Sequence, residues 1–69
     1  MKFKGFMSSH NIKSNPKNIG IHFIESEEEV RKIANKRGYE QFDVELVTFN
    51  KIGFRRYLVV WRVVGRLET

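Results

Sequence analysis

The stretch that most constrains the fold is residues 55–66, RRYLVVWRVVGR. β-Branched and aromatic side chains dominate it, and such side chains favour a pleated strand. Apolar residues occupy both of its alternating faces, from Leu58 to Val60 and again at Val63 and Val64. A strand that is apolar on both faces is typical of the interior of a sheet, with other parts of the chain on each side. We therefore predict that residues 55–66 form the central strand.

The preceding segment, residues 40–50, predicts the hairpin partner of this strand. Its apolar and acidic residues alternate over residues 42–46, FDVEL, which is typical of a half-buried strand. Residues 50–53, NKIG, predict the turn, because glycine commonly ends a four-residue hairpin connection. This turn pairs Phe49 with Phe54, Leu46 with Tyr57, Val44 with Val59 and Phe42 with Trp61. The register gathers the last three of these pairs on one apolar face and places Phe49 and Phe54 on the second face, and a slip of one residue would exchange the two faces.

A helix is predicted from Ser26 to Arg37. Ser26 and Glu29 form an S-x-x-E capping box, and the glutamates at 27–29 suit the positive end of the helix dipole. Gly38 follows the last turn, where glycine commonly adopts the left-handed conformation that ends a helix. A narrow apolar stripe at helical spacing is expected to pack on the apolar hairpin face. The stripe comprises Val30, Ile33 and Ala34.

The N-terminal part of the chain predicts two shorter strands, at residues 2–7 and 19–25. Between them, residues 8–18, SSHNIKSNPKN, are rich in serine and asparagine and contain the only proline, which predicts a polar loop. The predicted element order is therefore β-β-α-β-β. We expect a single two-layer α+β domain over residues 1–69, in which a small, mainly antiparallel sheet carries one helix on one face.

The second face of the predicted hairpin is too apolar for an ordinary solvated surface. Val47, Leu58, Val60 and Val64 lie on it, and a chain with one predicted helix has no second helical layer to cover them. Three coverings are open: the N-terminal segment, a second copy of the chain, or another partner. Because exposed apolar patches above roughly a few hundred Å² usually mark interaction sites, we predict that these four residues form an interface.

The size of the chain favours association. The core of a chain of 69 residues commonly supplies only about 3–5 kcal/mol of stability. The sequence has no cysteine and two histidines, which excludes disulfides, thiolate metal sites and histidine-rich metal sites. We therefore expect no cofactor and no metal, and a homodimer is an open alternative. Neither a signal peptide nor an apolar run long enough for a membrane span is visible, so we expect a cytoplasmic protein without a membrane partner.

The net charge of +5 favours a polyanionic partner such as nucleic acid. The charge is unevenly distributed, since no acidic residue precedes Glu25. In the predicted register Arg56 and Arg62 lie diagonal to Glu45 and Asp43, where cross-strand ion pairs form. The basic residues that lack such partners and are predicted to contact nucleic acid are Lys2, Lys4, Lys13, Lys17, Lys51, Arg55 and Arg66.

No residue pattern predicts catalysis. On a strand, His22 and Glu25 would point to opposite faces, so they make a poor acid–base pair. The serine pair at residues 8–9 lacks an evident base, and the sequence has no glycine-rich phosphate loop and no metal signature. We predict that the protein is not an enzyme. A small RNA-cleaving site built from His22, Arg55 and Tyr57 is the residual alternative.

Two functions are consistent with these features. The first is a small, basic, non-enzymatic module that binds nucleic acid through its N-terminal segment and hairpin end. The alternative is a protein-interaction or regulatory module, acting as a homodimer or an inhibitor, that uses the apolar second face. The two functions differ in their salt dependence. Phosphate contacts release counterions and weaken steeply as salt rises, whereas an apolar interface does not.

Overall fold

The computed structural model describes the backbone of residues 2–67 and the side chains of residues 4–67. Its elements are β1 (Lys2–Lys13), α1 (Ile19–Lys36), β2 (Tyr39–Gly53) and β3 (Arg56–Leu67). The strands form a three-stranded sheet in the order β1-β3-β2, and β3 is antiparallel to both neighbours. Within residues 2–67, the prediction of an α+β fold with an antiparallel sheet, a central C-terminal strand and one helix is confirmed. The predicted order β-β-α-β-β is wrong, because the observed order is β-α-β-β.

β1 is twice as long as the strand predicted at residues 2–7. It has 12 residues and pairs with β3 at every position, from Lys2 opposite Leu67 to Lys13 opposite Arg56. Residues 8–13, predicted as part of a loop, therefore belong to the sheet, and the loop is confined to 14–18. Polar composition does not prevent this pairing, because an edge strand has solvent along one side and does not need a continuous apolar sequence.

α1 begins at Ile19, so residues 19–25 are helical and the strand predicted there is wrong. Ile19 and Phe23 lie four residues apart and pack against the core, which extends the buried helical stripe backwards. Ile21 and Ile24 are 59% and 57% exposed. These exposed isoleucines create an alternation typical of a strand, and they conceal the helical period in the sequence.

Ser26 lies in the middle of α1 and is not its N-cap. Its buried Oγ donates a hydrogen bond to the carbonyl oxygen of Phe23 at 2.6 Å and accepts one from Nε1 of Trp61 at 3.0 Å. Buried polar groups are costly unless they are hydrogen-bonded, and the bond from Trp61 joins α1 to β3. The helix begins after Asn18 and ends as predicted, because Gly38 follows it with a φ of 90°, in the left-handed region.

The core lies between α1 and one face of the sheet, which we call the covered face. Val30, Val59 and Val63 are fully buried, and Trp61 is 3% exposed. This confirms the predicted packing of the helix stripe on the apolar residues of the central strand. Leu46 was predicted on the same face but is 47% exposed. The buried hydrophobic residues are Ile12, Val30, Ala34, Tyr39, Val59, Trp61 and Val63.

The β2–β3 hairpin turns later than predicted, at residues 54–55 and not at 50–53. Leu46 consequently lies opposite Trp61, and not opposite Tyr57 as predicted. For Leu46 and the predicted pairs before it, the observed partner lies four residues further along β3 than the predicted partner. Four is an even number, and side chains alternate between faces with a period of two. These side chains therefore remain on their predicted face, although all four predicted pairs are wrong.

A β-bulge between Leu46 and Thr48 changes the face of the residues that follow it in β2. Phe49 was predicted on the second face, but its ring centroid lies 5.0 Å from that of Phe23 and 5.9 Å from that of Tyr57. Phe49 is thus on the covered face. A bulge inserts one extra residue into one strand, and the alternation in the sequence does not reveal it.

Candidate nucleic-acid interface

Four of the predicted nucleic-acid-binding residues come together at the hairpin end of the sheet. Lys13 is the last residue of β1, Lys51 lies near the end of β2, and Arg55 lies in the turn. Lys17 lies in the loop after β1, which is held to the turn by a hydrogen bond of 2.8 Å from the amide of Ser14 to the carbonyl oxygen of Arg55. Together with the first residue of β3, they form a group of exposed cations that we call the basic tip. Its members are Lys13, Lys17, Lys51, Arg55 and Arg56.

The other three predicted residues lie at the opposite end of the molecule. Lys2 pairs with Leu67 and Lys4 with Gly65 in the β1–β3 ladder, next to Arg66. The molecule measures 44 × 16 × 13 Å, so one short contact surface cannot include both ends. Nη2 of Arg66 donates a hydrogen bond of 3.0 Å to Oε1 of Gln41. Arg66, for which the sequence predicts no diagonal acidic partner, is thus hydrogen-bonded to a neutral side chain of β2.

The basic tip is built from segments that contain no acidic residue. The sequence has none before Glu25 and none between Glu45 and Glu68. α1 starts beside the tip, and its first turn is also free of acidic residues, so the positive end of its dipole adds to the local potential. Glu25, the first acidic residue of α1, lies about 9 Å along the helix axis from Ile19.

The arginine ion pairs of the structure lie away from the basic tip. Within residues 2–67, they join Arg31 to Glu27 and Arg62 to Glu45, at nitrogen–oxygen distances of 3.1 and 2.7 Å. No cation of the basic tip takes part in an ion pair within the same residues. The charges of the tip are therefore available to an anionic partner.

Two large apolar side chains are exposed among these cations. Phe54 is 79% exposed and Ile52 is 55% exposed. Cζ of Arg55 lies 4.9 Å from the ring centroid of Phe54, a cation–π arrangement. An exposed ring beside a guanidinium is a combination that single-stranded nucleic acids can use, because bases stack on rings and phosphates pair with cations.

The backbone of Arg55 is in an unfavourable conformation for an arginine. Its φ is 55°, in the left-handed region where glycine and asparagine are favoured and other residues are uncommon. A Cβ in this region costs roughly 1–2 kcal/mol. Backbone strain of this kind clusters at functional sites. The turn therefore carries an arginine where its own geometry favours a glycine.

A shallow groove of about 230 Å³ lies beside the basic tip, lined by Asn11, Ile12, Lys13, Ile52 and Arg56. Pockets for drug-sized small molecules usually enclose about 300–1,000 Å³. The groove is smaller than that range and two of its five lining residues are cations. It therefore suits one group of a larger anionic ligand better than a complete small molecule.

The side of the sheet opposite α1, which we call the open face, carries the predicted interface. Leu58 and Val60 are half-buried, whereas Val47 and Val64 are 48% and 41% exposed. Met7 of β1 adds a side chain that is 56% exposed. The N-terminal segment was one predicted cover for this face, but from Lys2 to Lys13 it pairs with the side of β3 instead.

A charged pair crosses the open face. Nη2 of Arg62 lies 2.7 Å from Oε2 of Glu45, which is directly opposite in the ladder, and the two side chains are 51% and 53% exposed. The predicted diagonal pairs, Arg62 with Asp43 and Arg56 with Glu45, are not formed within residues 2–67. An exposed pair contributes only about 0–1 kcal/mol. Because of this ion pair, the open face is only partly apolar.

The sequence did not predict one contact between two side chains that can take part in catalysis, those of Ser8 and His10. Oγ of Ser8 lies 2.8 Å from Nε2 of His10. Residues two apart share a face of a strand, so assignment of this segment to a loop concealed the contact. A serine nucleophile also needs a third group that orients the base. Within residues 2–67, no carboxylate lies within ion-pair distance of His10, so the contact by itself assigns no catalysis.

Among residues 4–67, no hydrogen bond joins any two of the residual enzyme candidates His22, Arg55 and Tyr57. His22 and Glu25 lie one helical turn apart, with Nδ1 and Oε1 separated by 3.8 Å, and not on opposite faces of a strand as predicted. This distance is too long for a hydrogen bond. Arg55 is in the hairpin turn, and Tyr57 is half-buried on the covered face beside Phe49.

Comparisons with known proteins add no functional information. No protein-family model, curated protein or solved structure matches this chain. Among residues 2–67, histidine, aspartate and glutamate side chains nowhere form a group of three that could hold a metal ion. Over the same residues, no helix has both the length and the apolar character needed to cross a membrane. The function of the chain is therefore inferred from the geometry of its residues.

Proposed function

We propose that the protein is a non-enzymatic module that binds nucleic acid through the basic tip. The observation that carries the proposal is the concentration of five exposed cations around exposed Phe54, at an end of the molecule built without acidic residues. Electrostatic attraction to phosphates supplies most of the affinity of such a surface. The long sheet and α1 act as the rigid support that presents it.

The tip combines two kinds of contact. Its lysines and arginines neutralise phosphates, and Phe54 offers a face on which a base can stack, a contact worth about 1–3 kcal/mol per base. Arg55 can contact a phosphate while it lies beside the ring. The strained backbone of Arg55 supports this role, because the turn alone would be more stable with glycine at that position.

The direct test is the salt dependence of binding to labelled single-stranded and duplex oligonucleotides, measured by fluorescence anisotropy. If all five cations contact phosphates, the slope of log K against log salt approaches about −3.5 for single strands and −4.5 for duplexes. Binding that is undetectable at low salt, or a slope between zero and about −1, would contradict the proposal.

The open face supports a second candidate function, association with a second copy of the chain or with another protein. The observation that favours it is the exposure of Val47 and Val64 at 48% and 41% beside half-buried Leu58 and Val60. A core of this size also gains stability from association. Such an interface does not compete with the basic tip for residues, so both functions can exist in one molecule.

Sedimentation velocity tests this candidate. A homodimer predicts a concentration-dependent shift in sedimentation that high salt does not reverse and that Val64→Asp abolishes. Val64 is half-exposed, so the substitution leaves the core intact. Exposed Ile21 on α1 provides the matched control, and Ile21→Asp is expected to leave association unchanged. A monomer at all concentrations would exclude the homodimer.

A further inference from the structure

The two outer edges of the sheet differ in their regularity. In the order β1-β3-β2, β1 and β2 are the outermost strands of residues 2–67. β1 pairs with β3 at twelve consecutive positions without a register shift, whereas β2 has shifts at three places. β-Bulges protect an edge against further strands because they twist it and interrupt its hydrogen-bonding groups. The edge of β2 is thus protected, and the edge of β1 is regular.

The register also shows which backbone groups of β1 point outward. The amide of Ser14 donates to the carbonyl oxygen of Arg55 at 2.8 Å, and this pair continues the β1–β3 register. In an antiparallel ladder, hydrogen-bonded pairs alternate with non-hydrogen-bonded pairs. Even-numbered residues of β1 therefore bond to β3, and odd-numbered residues direct their N–H and C=O groups away from the sheet. The described odd residues are all exposed: Gly5, Met7, Ser9, Asn11 and Lys13.

The charges of β1 are confined to its ends. Lys4 and Lys13 flank a segment, residues 5–12, that contains no lysine, arginine or acidic residue. Lysines and prolines along an edge oppose the addition of another strand, and both are absent from this central segment. The central part of the edge therefore presents free backbone groups without a charge that would repel a strand.

The flanking lysines discriminate between partners. When two β1 edges pair antiparallel, their outward groups place odd-numbered residues opposite odd-numbered residues, and both strands bring only positive charge, at Lys2, Lys4 and Lys13. Neither β1 nor its neighbour β3 carries an acidic residue. Charge complementarity therefore disfavours a second copy and favours an extended segment with acidic residues at its ends.

We propose that the outer edge of β1 binds an extended acidic peptide segment of another protein, which adds to the sheet as a fourth strand. Main-chain hydrogen bonds to the odd-numbered residues supply affinity, as in other cases of strand addition. Lys4 and Lys13 select acidic residues at the two ends of the added strand. This site shares Lys13 with the basic tip, but the main-chain bonds that define it belong to residues 5–11.

Amide hydrogen exchange, followed by NMR, tests the proposal residue by residue. The probe is an acetylated and amidated peptide with alternating threonine and valine in its centre and two glutamates at each end. At saturation, the amides of Gly5, Met7, Ser9 and Asn11 are expected to exchange at least about tenfold more slowly. The amides of even-numbered residues change little, because they already bond to β3. Absence of binding, or binding without slower exchange at the odd-numbered amides, overturns the proposal.

Two variants at the centre of the edge give a second test. Ser9→Pro removes an outward amide and leaves the ladder bonds to β3, whereas Ser9→Val keeps the amide. Proline is tolerated at such an edge position, and thermal unfolding checks that both variants fold. The peptide is expected to bind Ser9→Pro at least about tenfold more weakly than Ser9→Val, and equal affinity contradicts the proposal. If Ser9→Pro does not fold, the same comparison is made on the native protein with a peptide N-methylated at its central residues.

Discussion

The two ends of the sheet both carry basic residues, but they use them differently. At the end where α1 terminates, Cζ of Arg37 lies 4.2 Å from the ring centroid of Phe6, and Arg66 is hydrogen-bonded to Gln41. Phe6 in turn packs on Tyr39, with ring centroids 5.7 Å apart. At the basic tip, the aromatic side chain is the 79% exposed Phe54. Arginines at one end support packing, and those at the other end face solvent.

This comparison shows that the number of charges does not locate a binding surface. The sequence places basic residues at both ends, and the structure divides them according to their partners. An aromatic ring beside an arginine is part of the packed structure in one case and an exposed group in the other. Stability should therefore depend on the packed end, and binding to nucleic acid should depend on the basic tip.

The largest expected difference concerns stability. Tyr39→Ala removes a ring that is 7% exposed and is expected to lower the free energy of unfolding by about 3 kcal/mol. Phe54→Ala removes an exposed ring and should leave the free energy of unfolding within about 0.5 kcal/mol of the native value. Urea unfolding followed by circular dichroism measures both. Equal losses would contradict the distinction between the two ends.

Neutralisation of two tip cations has the next largest effect. Lys51→Gln combined with Arg55→Gln removes two phosphate contacts, each worth about 0.7 in the slope of log K against log salt. With equal affinities at 1 M salt, the variant should bind a single strand about 25-fold more weakly than the native protein at 0.1 M salt. The slope of log K against log salt should flatten by about 1.4. The matched control, Lys32→Gln with Lys36→Gln, removes the same charge from exposed positions of α1. A similar loss in the control would show that net charge, and not the tip, governs binding.

Phe54 itself should make a smaller contribution to binding. Phe54→Ala is expected to lower affinity for single strands about tenfold, because a stacked base is worth about 1–3 kcal/mol. Ile52→Ala removes a neighbouring exposed side chain without a ring face, and should change affinity less than threefold. Fluorescence anisotropy at constant salt compares the two variants. An equal effect of both substitutions would indicate nonspecific apolar contact.

The smallest predicted effect concerns Arg55, where stability and nucleic-acid binding are expected to change in opposite directions. Arg55→Gly relieves the left-handed backbone and should raise the free energy of unfolding by about 0.5–1 kcal/mol. Arg55→Gln removes the same charge and keeps the Cβ, so it should not raise stability. Both variants are expected to bind single strands about fivefold more weakly at 0.1 M salt. If glycine did not raise stability above glutamine, the backbone strain assigned to Arg55 would be absent.

The central strand and its packed face were predicted correctly from the sequence, whereas the pairing of the strands was not. The apolar pattern of β3 placed Val59, Trp61 and Val63 on one face, and they form the core. The position of the hairpin turn was missed because residues 50–53 contain typical turn residues, whereas the actual turn contains phenylalanine and arginine. The pairing of β2 with β3 continues through residues 50–53 and so overrides their local turn propensity.

The N-terminal half was predicted less well because its local signals conflict with the tertiary contacts. A capping-box pattern at Ser26 indicated a helix start, but Ser26 is buried in a helix that begins at Ile19 and bonds to Trp61. The candidate site was predicted in part. Four of the predicted residues belong to the five-residue basic tip, whereas the exposure of Phe54 depends on a turn that the sequence did not reveal.

The most direct test of the central claim is a chemical-shift map of the protein with a twelve-nucleotide single strand at low salt. Backbone amide NMR signals report each residue separately, so the two ends are compared in one experiment. We predict that the largest shifts occur at residues 13–17 and 51–56 and that they vanish at high salt. Shifts centred on residues 37–41 and 65–67, or spread evenly over the sheet, would contradict the assignment of binding to the basic tip.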